Sequence, residues 1–80
     1  MARRKRVVLR VKRQNRGWAL TGPRELRNWF PSQYEAIARG RYEAHQIFSH
    51  GCLAQLVVHG RDGKIRTEWT YGADPRRYKG

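Results

Sequence analysis

The side chains able to do chemistry in this chain are mostly cationic, and they crowd toward one end. Arg3, Arg4, Lys5, Arg6, Arg10, Lys12, Arg13 and Arg16 all fall within the first sixteen residues, which contain no Asp or Glu. They supply +8 of a net charge of +12, while the remaining sixty-four residues carry ten basic and six acidic side chains and add only +4. Guanidinium and ammonium groups at this density repel one another unless a counter-ion is present, so they imply a polyanionic partner. If about six to eight of them contact phosphates, affinity for duplex falls with log salt at a slope near −0.9 per contact.

Aromatic side chains interleave with these cations and offer flat faces on which unpaired bases can stack. Trp18 and Trp69 read as core residues, because each shares a face with other apolar residues of its strand. Trp29 is different: alternation places it opposite Leu26 and Phe30, so it is expected to face outward. Lys64 and Arg66 alternate with apolar neighbours and are expected to extend the basic face begun by Arg10 and Lys12. No RNP-type aromatic consensus, zinc-finger spacing or helix-turn-helix pattern is present, so sequence-specific readout has no visible carrier.

Other chemistries find less support. His45, His50 and Cys52 are close in sequence, but their spacing fits no common zinc pattern and a fourth ligand is lacking. His59 and Asp62 flank a tight turn in which Asp62 has a structural task, and no second carboxylate or nucleophile accompanies them. Gly60 and Gly63 match a hairpin and not a phosphate-binding loop. Neither catalytic residues, a metal site nor a cofactor is expected.

The elements that must carry these residues follow from hydrophobic periodicity. Val7, Leu9 and Val11 alternate with Arg6, Arg10 and Lys12, which predicts a half-buried strand over 6–12. Gln14-Asn15-Arg16-Gly17 is polar and ends in Gly, as a hairpin turn requires. A second strand, over 17–21, sets Trp18 and Leu20 on one face, and Gly22-Pro23 ends it. Leu26 to Phe30 form a possible third strand. Ser32 and Glu35 then have capping-box spacing ahead of a helix over 33–49. Its inward stripe is Ala36, Ile37, Gly40, Ala44, Ile47 and Phe48. Gly40 costs about 1 kcal/mol against Ala in mid-helix, which close approach of helix to sheet would offset, and Gly51 is placed to cap the helix in the left-handed conformation. Strands over 53–59 and 64–71 follow, joined by Arg61-Asp62-Gly63 as a hairpin turn.

These runs predict one α+β domain over 6–71, an antiparallel sheet of four or five strands with one helix on one face, in the order β-β-(β)-α-β-β. A flexible basic arm (1–5) and an irregular basic tail (72–80) flank it. The expected inward cluster is Val7, Leu9, Val11, Trp18, Leu20, Ile37, Ala44, Phe48, Leu56, Val58, Ile65 and Trp69. The other face of the sheet is left to water or a partner. At eighty residues, the chain supports one compact core. A lone cysteine, Cys52, forms no internal disulfide and favours a reducing compartment. No apolar run approaches the ~20 residues of a spanning helix, nor does the basic N-terminus lead into the apolar segment of a signal peptide. A soluble, cytoplasmic protein is expected.

The segment Leu56-Val57-Val58-His59-Gly60-Arg61-Asp62-Gly63-Lys64-Ile65-Arg66, with Tyr71-Gly72-x-Asp74-Pro75 and a closing Lys79-Gly80, resembles the bacterial domain-of-unknown-function family numbered 2188. Gly17-Trp18-Ala19-Leu20 and Glu35-Ala36-Ile37 stand where that family carries its "GWAV" strand and "EAI" helix start. The resemblance implies a small α+β fold with no established activity, and it supplies no catalytic residues to carry over. The chain departs from the pattern in its heavier basic N-terminal third and in Arg76-Arg77-Tyr78, which replaces a Pro-rich ending.

The function expected from the charge is non-catalytic binding of nucleic acid, DNA or RNA, through backbone phosphates. The residues expected to carry it are Arg3, Arg4, Lys5, Arg6, Arg10, Lys12, Arg13, Arg16, Trp29, Lys64 and Arg66. The alternative is a protein-interaction module, of phage or bacterial effector type, that docks on an acidic protein partner.

Overall fold

The computed structural model describes residues 5–72, so Arg3, Arg4 and the tail beyond Gly72 lie outside the described residues. Six elements follow in order: β1 (Arg6–Gln14), β2 (Gly17–Thr21), β3 (Arg27–Phe30), α1 (Gln33–Ser49), β4 (Leu53–His59) and β5 (Ile65–Tyr71). The third strand is therefore present, and the helix has the bounds expected from its cap and periodicity. All five strands form one sheet in the order β3-β2-β1-β4-β5, and α1 packs on one face of it.

The sheet is mixed and not wholly antiparallel, because β1 and β4 pair in parallel while the other three neighbouring pairs are antiparallel. The reason is the crossover. Strands β1, β2 and β3 form a meander, α1 runs back across the sheet, and β4 then starts at the same end as β1. A parallel pair requires such a long connection, whereas hairpins make antiparallel ones.

The buried core between helix and sheet comprises Leu9, Val11, Trp18, Leu20, Ala36, Ala44, Ala54, Leu56 and Val58, with Val7, Leu26, Phe30, Ile37, Ile47, Trp69 and Tyr71 packed against it. Phe48 is half-buried, with ring atoms lying where a side chain on Gly72 would stand. In β4 the alternation holds, with Leu56 and Val58 facing the helix; Val57, on the other face, is also buried. Ile65 is the exception to the expected cluster, at 55% exposure. A bulge between Val58 and His59 sets Ile65 opposite His59, while Thr67 pairs with Val58. The extra residue takes Ile65 off the face shared by Thr67, Trp69 and Tyr71.

Both ends of α1 are satisfied locally. The Ser32 hydroxyl accepts from the Glu35 amide at 3.2 Å. At the other end Gly51 has φ +96°, and its N–H donates to the Phe48 carbonyl at 3.0 Å. Gly40 lies against the sheet: a Cβ there would stand 2.8 Å from Leu56 Cδ1 and 3.3 Å from Leu20 Cδ1.

The β1–β2 turn falls within the expected Gln14–Gly17 segment and β2 starts at Gly17 as expected, but the glycine is not the residue that bends. Asn15 (φ 48°) and Arg16 (φ 65°) occupy its two left-handed positions, as a type I′ hairpin requires, and Gly17 is already the first residue of β2. Gly17 answers a different demand, which concerns Trp29.

Candidate nucleic-acid interface

The face of the sheet away from α1 is open. Because side chains alternate across a strand, Arg10 and Lys12 of β1 project there, as do Ala19 and Thr21 of β2 and Arg27 and Trp29 of β3. The registers arrange them in two rows across three strands. One row is Lys12–Ala19–Trp29 and the next is Arg10–Thr21–Arg27. Arg10, Lys12, Arg27 and Trp29 are exposed, whereas the small residue between Lys12 and Trp29, Ala19, is buried. The result is a shallow floor with cations on both sides.

Trp29 is held in place. Its indole Nε1–H donates to the Gln14 carbonyl at 2.9 Å. A Cβ on Gly17 would overlap indole atoms Cζ2 and Cε2, so the ring rests on β2 where no side chain stands. Half of the residue remains exposed, at 50%.

Arg10 is also positioned. Its Nη1 donates to His59 Nε2 at 3.3 Å, while His59 Nδ1–H donates to the Gly63 carbonyl at 2.9 Å. This assigns the tautomer: Nδ1 carries the proton and Nε2 offers its lone pair. His59 is buried and links β4 and its hairpin to the central cation of the face. Asp62 has the structural task expected of it, accepting from the Lys64 amide at 3.0 Å in the turn.

Not every cation singled out in the sequence reaches this face. Arg13 lies on the helix side, where its guanidinium sits 5.5 Å from the Trp18 ring centroid. Arg66 does not extend the basic face either; it turns toward the helix start and donates to Gln33 Oε1 at 3.0 Å. The bulge that displaces Ile65 is the reason, since strict alternation fails on that strand beyond Thr67. Lys64 is exposed in the β4–β5 turn and Arg16 in the β1–β2 turn. Arg6 shares the side of Arg10 by alternation but stands at the start of β1, where Lys5 and Arg6 line a groove with Arg24 and His50. Arg27 is legible as outward from the same Leu26–Phe30 alternation that turns Trp29 outward, but it stands outside the expected set; what brings it to the basic face is its pairing with Thr21, which faces Arg10. His59 as partner of Arg10 has no sequence signal, since the two are 49 residues apart.

The open face is graded in charge. Continuing the Arg10 row, Arg10 pairs with Val57 and Val57 with Glu68, whose carboxylate accepts from Gln55 Nε2 at 3.0 Å. Cations thus occupy the β3–β1 half, and the acid lies on β5 at the far edge. Among the described residues the single ion pair is Arg39 with Glu43, at 2.8 Å on the helix. His50 donates from Nδ1 to the Gln46 carbonyl at 2.7 Å, and no group of three His, Cys, Asp or Glu among the described residues is placed to hold a metal. No helix among them is long and apolar enough to cross a membrane.

One helix on a mixed five-strand sheet, with a basic face left open, defines a small α+β domain. The chain belongs to the family described as "Uncharacterized protein conserved in bacteria (DUF2188)", whose profile matches residues 7–71. The matched span covers all five strands and the helix but for Arg6. No curated protein and no solved structure matches the chain.

Proposed function

We propose that this protein is a non-catalytic nucleic-acid-binding domain that grips backbone phosphates with the open face of its sheet. The observation that carries this reading is the cluster of Arg10, Lys12 and Arg27 on two adjacent rows, none of them in an ion pair among the described residues. Like charges held this close on a rigid sheet repel one another, and a polyanion is the partner that relieves it. Helix α1 carries the one ion pair among those residues, so the two sides of the molecule differ in more than total charge.

Fluorescence anisotropy with labelled single- and double-stranded oligonucleotides, at about 50 and about 200 mM salt, tests this. Wild type should bind both more tightly at the lower salt. Replacing Lys12 and Arg27 together by Gln, with Arg10 kept because it bonds the buried His59, should make the salt slope on duplex shallower by nearly one unit for each phosphate no longer neutralised, without lowering the melting temperature. Absence of salt-sensitive binding by the wild type would end the nucleic-acid reading in favour of an acidic protein partner.

A further inference from the structure

Resting on that reading, we infer that the preferred ligand is single-stranded nucleic acid, with one unpaired base stacked on the exposed side of Trp29 and its backbone crossing the Arg27, Arg10 and Lys12 cations. The indole is fixed by its bond to the Gln14 carbonyl and by the bare Gly17 backbone beneath it. A ring already held in place loses little freedom when a base settles on it, so more of the stacking energy appears as affinity.

The arrangement around the ring suits one strand. Measured between backbones, Lys12 lies two strands from Trp29 in the same row, about 10 Å away, and Arg27 lies two residues along β3, about 7 Å away. Buried Ala19 and half-buried Thr21 form the floor between them. Because the indole reaches over Gly17, one row beyond these positions toward the β1–β2 turn, a strand that runs from a base stacked on it across the sheet meets Lys12 and then Arg10 and Arg27.

Duplex lacks the complementary feature, because each of its internal bases is covered on both faces by its neighbours and has no free face to offer the indole. The helix, one of the elements that can enter a major groove, lies on the opposite side of the sheet. The exposed aromatics Tyr34 and Tyr42 belong to that helix, and Tyr42 already has the Arg39 guanidinium 5.6 Å from its centroid.

The test compares wild type, Trp29→Leu and Trp29→Phe on short oligothymidylate, oligouridylate and a mixed-sequence duplex. Leucine retains an apolar cover over Gly17 but has no aromatic face; phenylalanine retains the face but not the indole N–H. Wild type should prefer both single strands to duplex. Trp29→Leu should weaken single-strand binding about tenfold or more, with the salt slope and duplex affinity unchanged, and Trp29→Phe, which keeps an aromatic face but not the bond that fixes it, should lose clearly less than Trp29→Leu. The two oligomers separate DNA from RNA, and preference for either over duplex supports the inference. Equal losses on duplex and single strand, no loss in Trp29→Leu, or a loss in Trp29→Phe as large as in Trp29→Leu would overturn it. Such results leave phosphate binding intact, whereas a wild type that binds no oligonucleotide at either salt ends both readings. Should Trp29→Leu fail to fold, quenching of wild-type tryptophan emission by bound oligothymidylate reads the same contact, and emission unchanged at saturation overturns the inference.

Discussion

Trp29 and Gly17 act as one unit at the residue scale. The indole can lie on the sheet only because the residue beneath it has no side chain, and a Cβ at Gly17 would also meet the backbone carbonyl of Phe30 at 2.5 Å. Gly17→Ala is therefore expected to displace the ring and strain the β2–β3 pairing, destabilising the fold by about 1–3 kcal/mol as overpacking commonly does. Urea denaturation measures the loss, and the shift in tryptophan emission reports the displaced indole. The same pair explains why sequence misleads about the role of this glycine. A Gly after Gln14-Asn15-Arg16 has the appearance of a turn residue, but its task is set by a side chain twelve positions later.

At the scale of elements, α1 decides how the sheet is built, and its N-terminal end and its middle can each be tested. Ser32→Ala removes the hydroxyl that accepts from the Glu35 amide and should cost about 0.5–2 kcal/mol. An unchanged melting temperature would show that the helix does not depend on this cap. In the middle, Gly40→Ala would gain about 1 kcal/mol in helix propensity, but the new methyl group would press on two fully buried leucines, Leu56 and Leu20. Overpacking typically outweighs that gain at about 1–3 kcal/mol, so a net loss near 1 kcal/mol is expected by chemical denaturation. The opposite sign would mean that the helix can lift off the sheet at little expense.

For the whole molecule, charge should give stability and binding opposite responses to salt. Raising salt from about 50 to about 200 mM shortens the Debye length and screens repulsion among the open-face cations. The melting temperature of the free protein should therefore rise over this range. Binding to an oligonucleotide should weaken over the same range, because the release of condensed counter-ions on association yields less free energy when bulk salt is higher. Paired thermal melts and anisotropy titrations across a salt series measure both. A melting temperature that falls with salt would show that attractive pairs outweigh the repulsion on this surface.

Much of this protein is determined by sequence alone: four of the five strands, the helix with its cap and closing Gly51, the burial of Leu9, Val11, Leu20, Leu56 and Val58, the outward turn of Trp29, and a strongly cationic character. Each depends on residues within a few positions of one another, and local periodicity and turn chemistry encode those relations. Tertiary structure alone decided the rest. That β4 lies parallel to β1 depends on where the helix crossover delivers the chain. That Arg66 leaves the basic face, and Ile65 the core, depends on a bulge in the pairing of two strands. That Arg10 meets His59, and Trp29 rests on Gly17, depends on strands brought together across the sheet. Such contacts join residues distant in the chain, so no repeat within a single segment could disclose them.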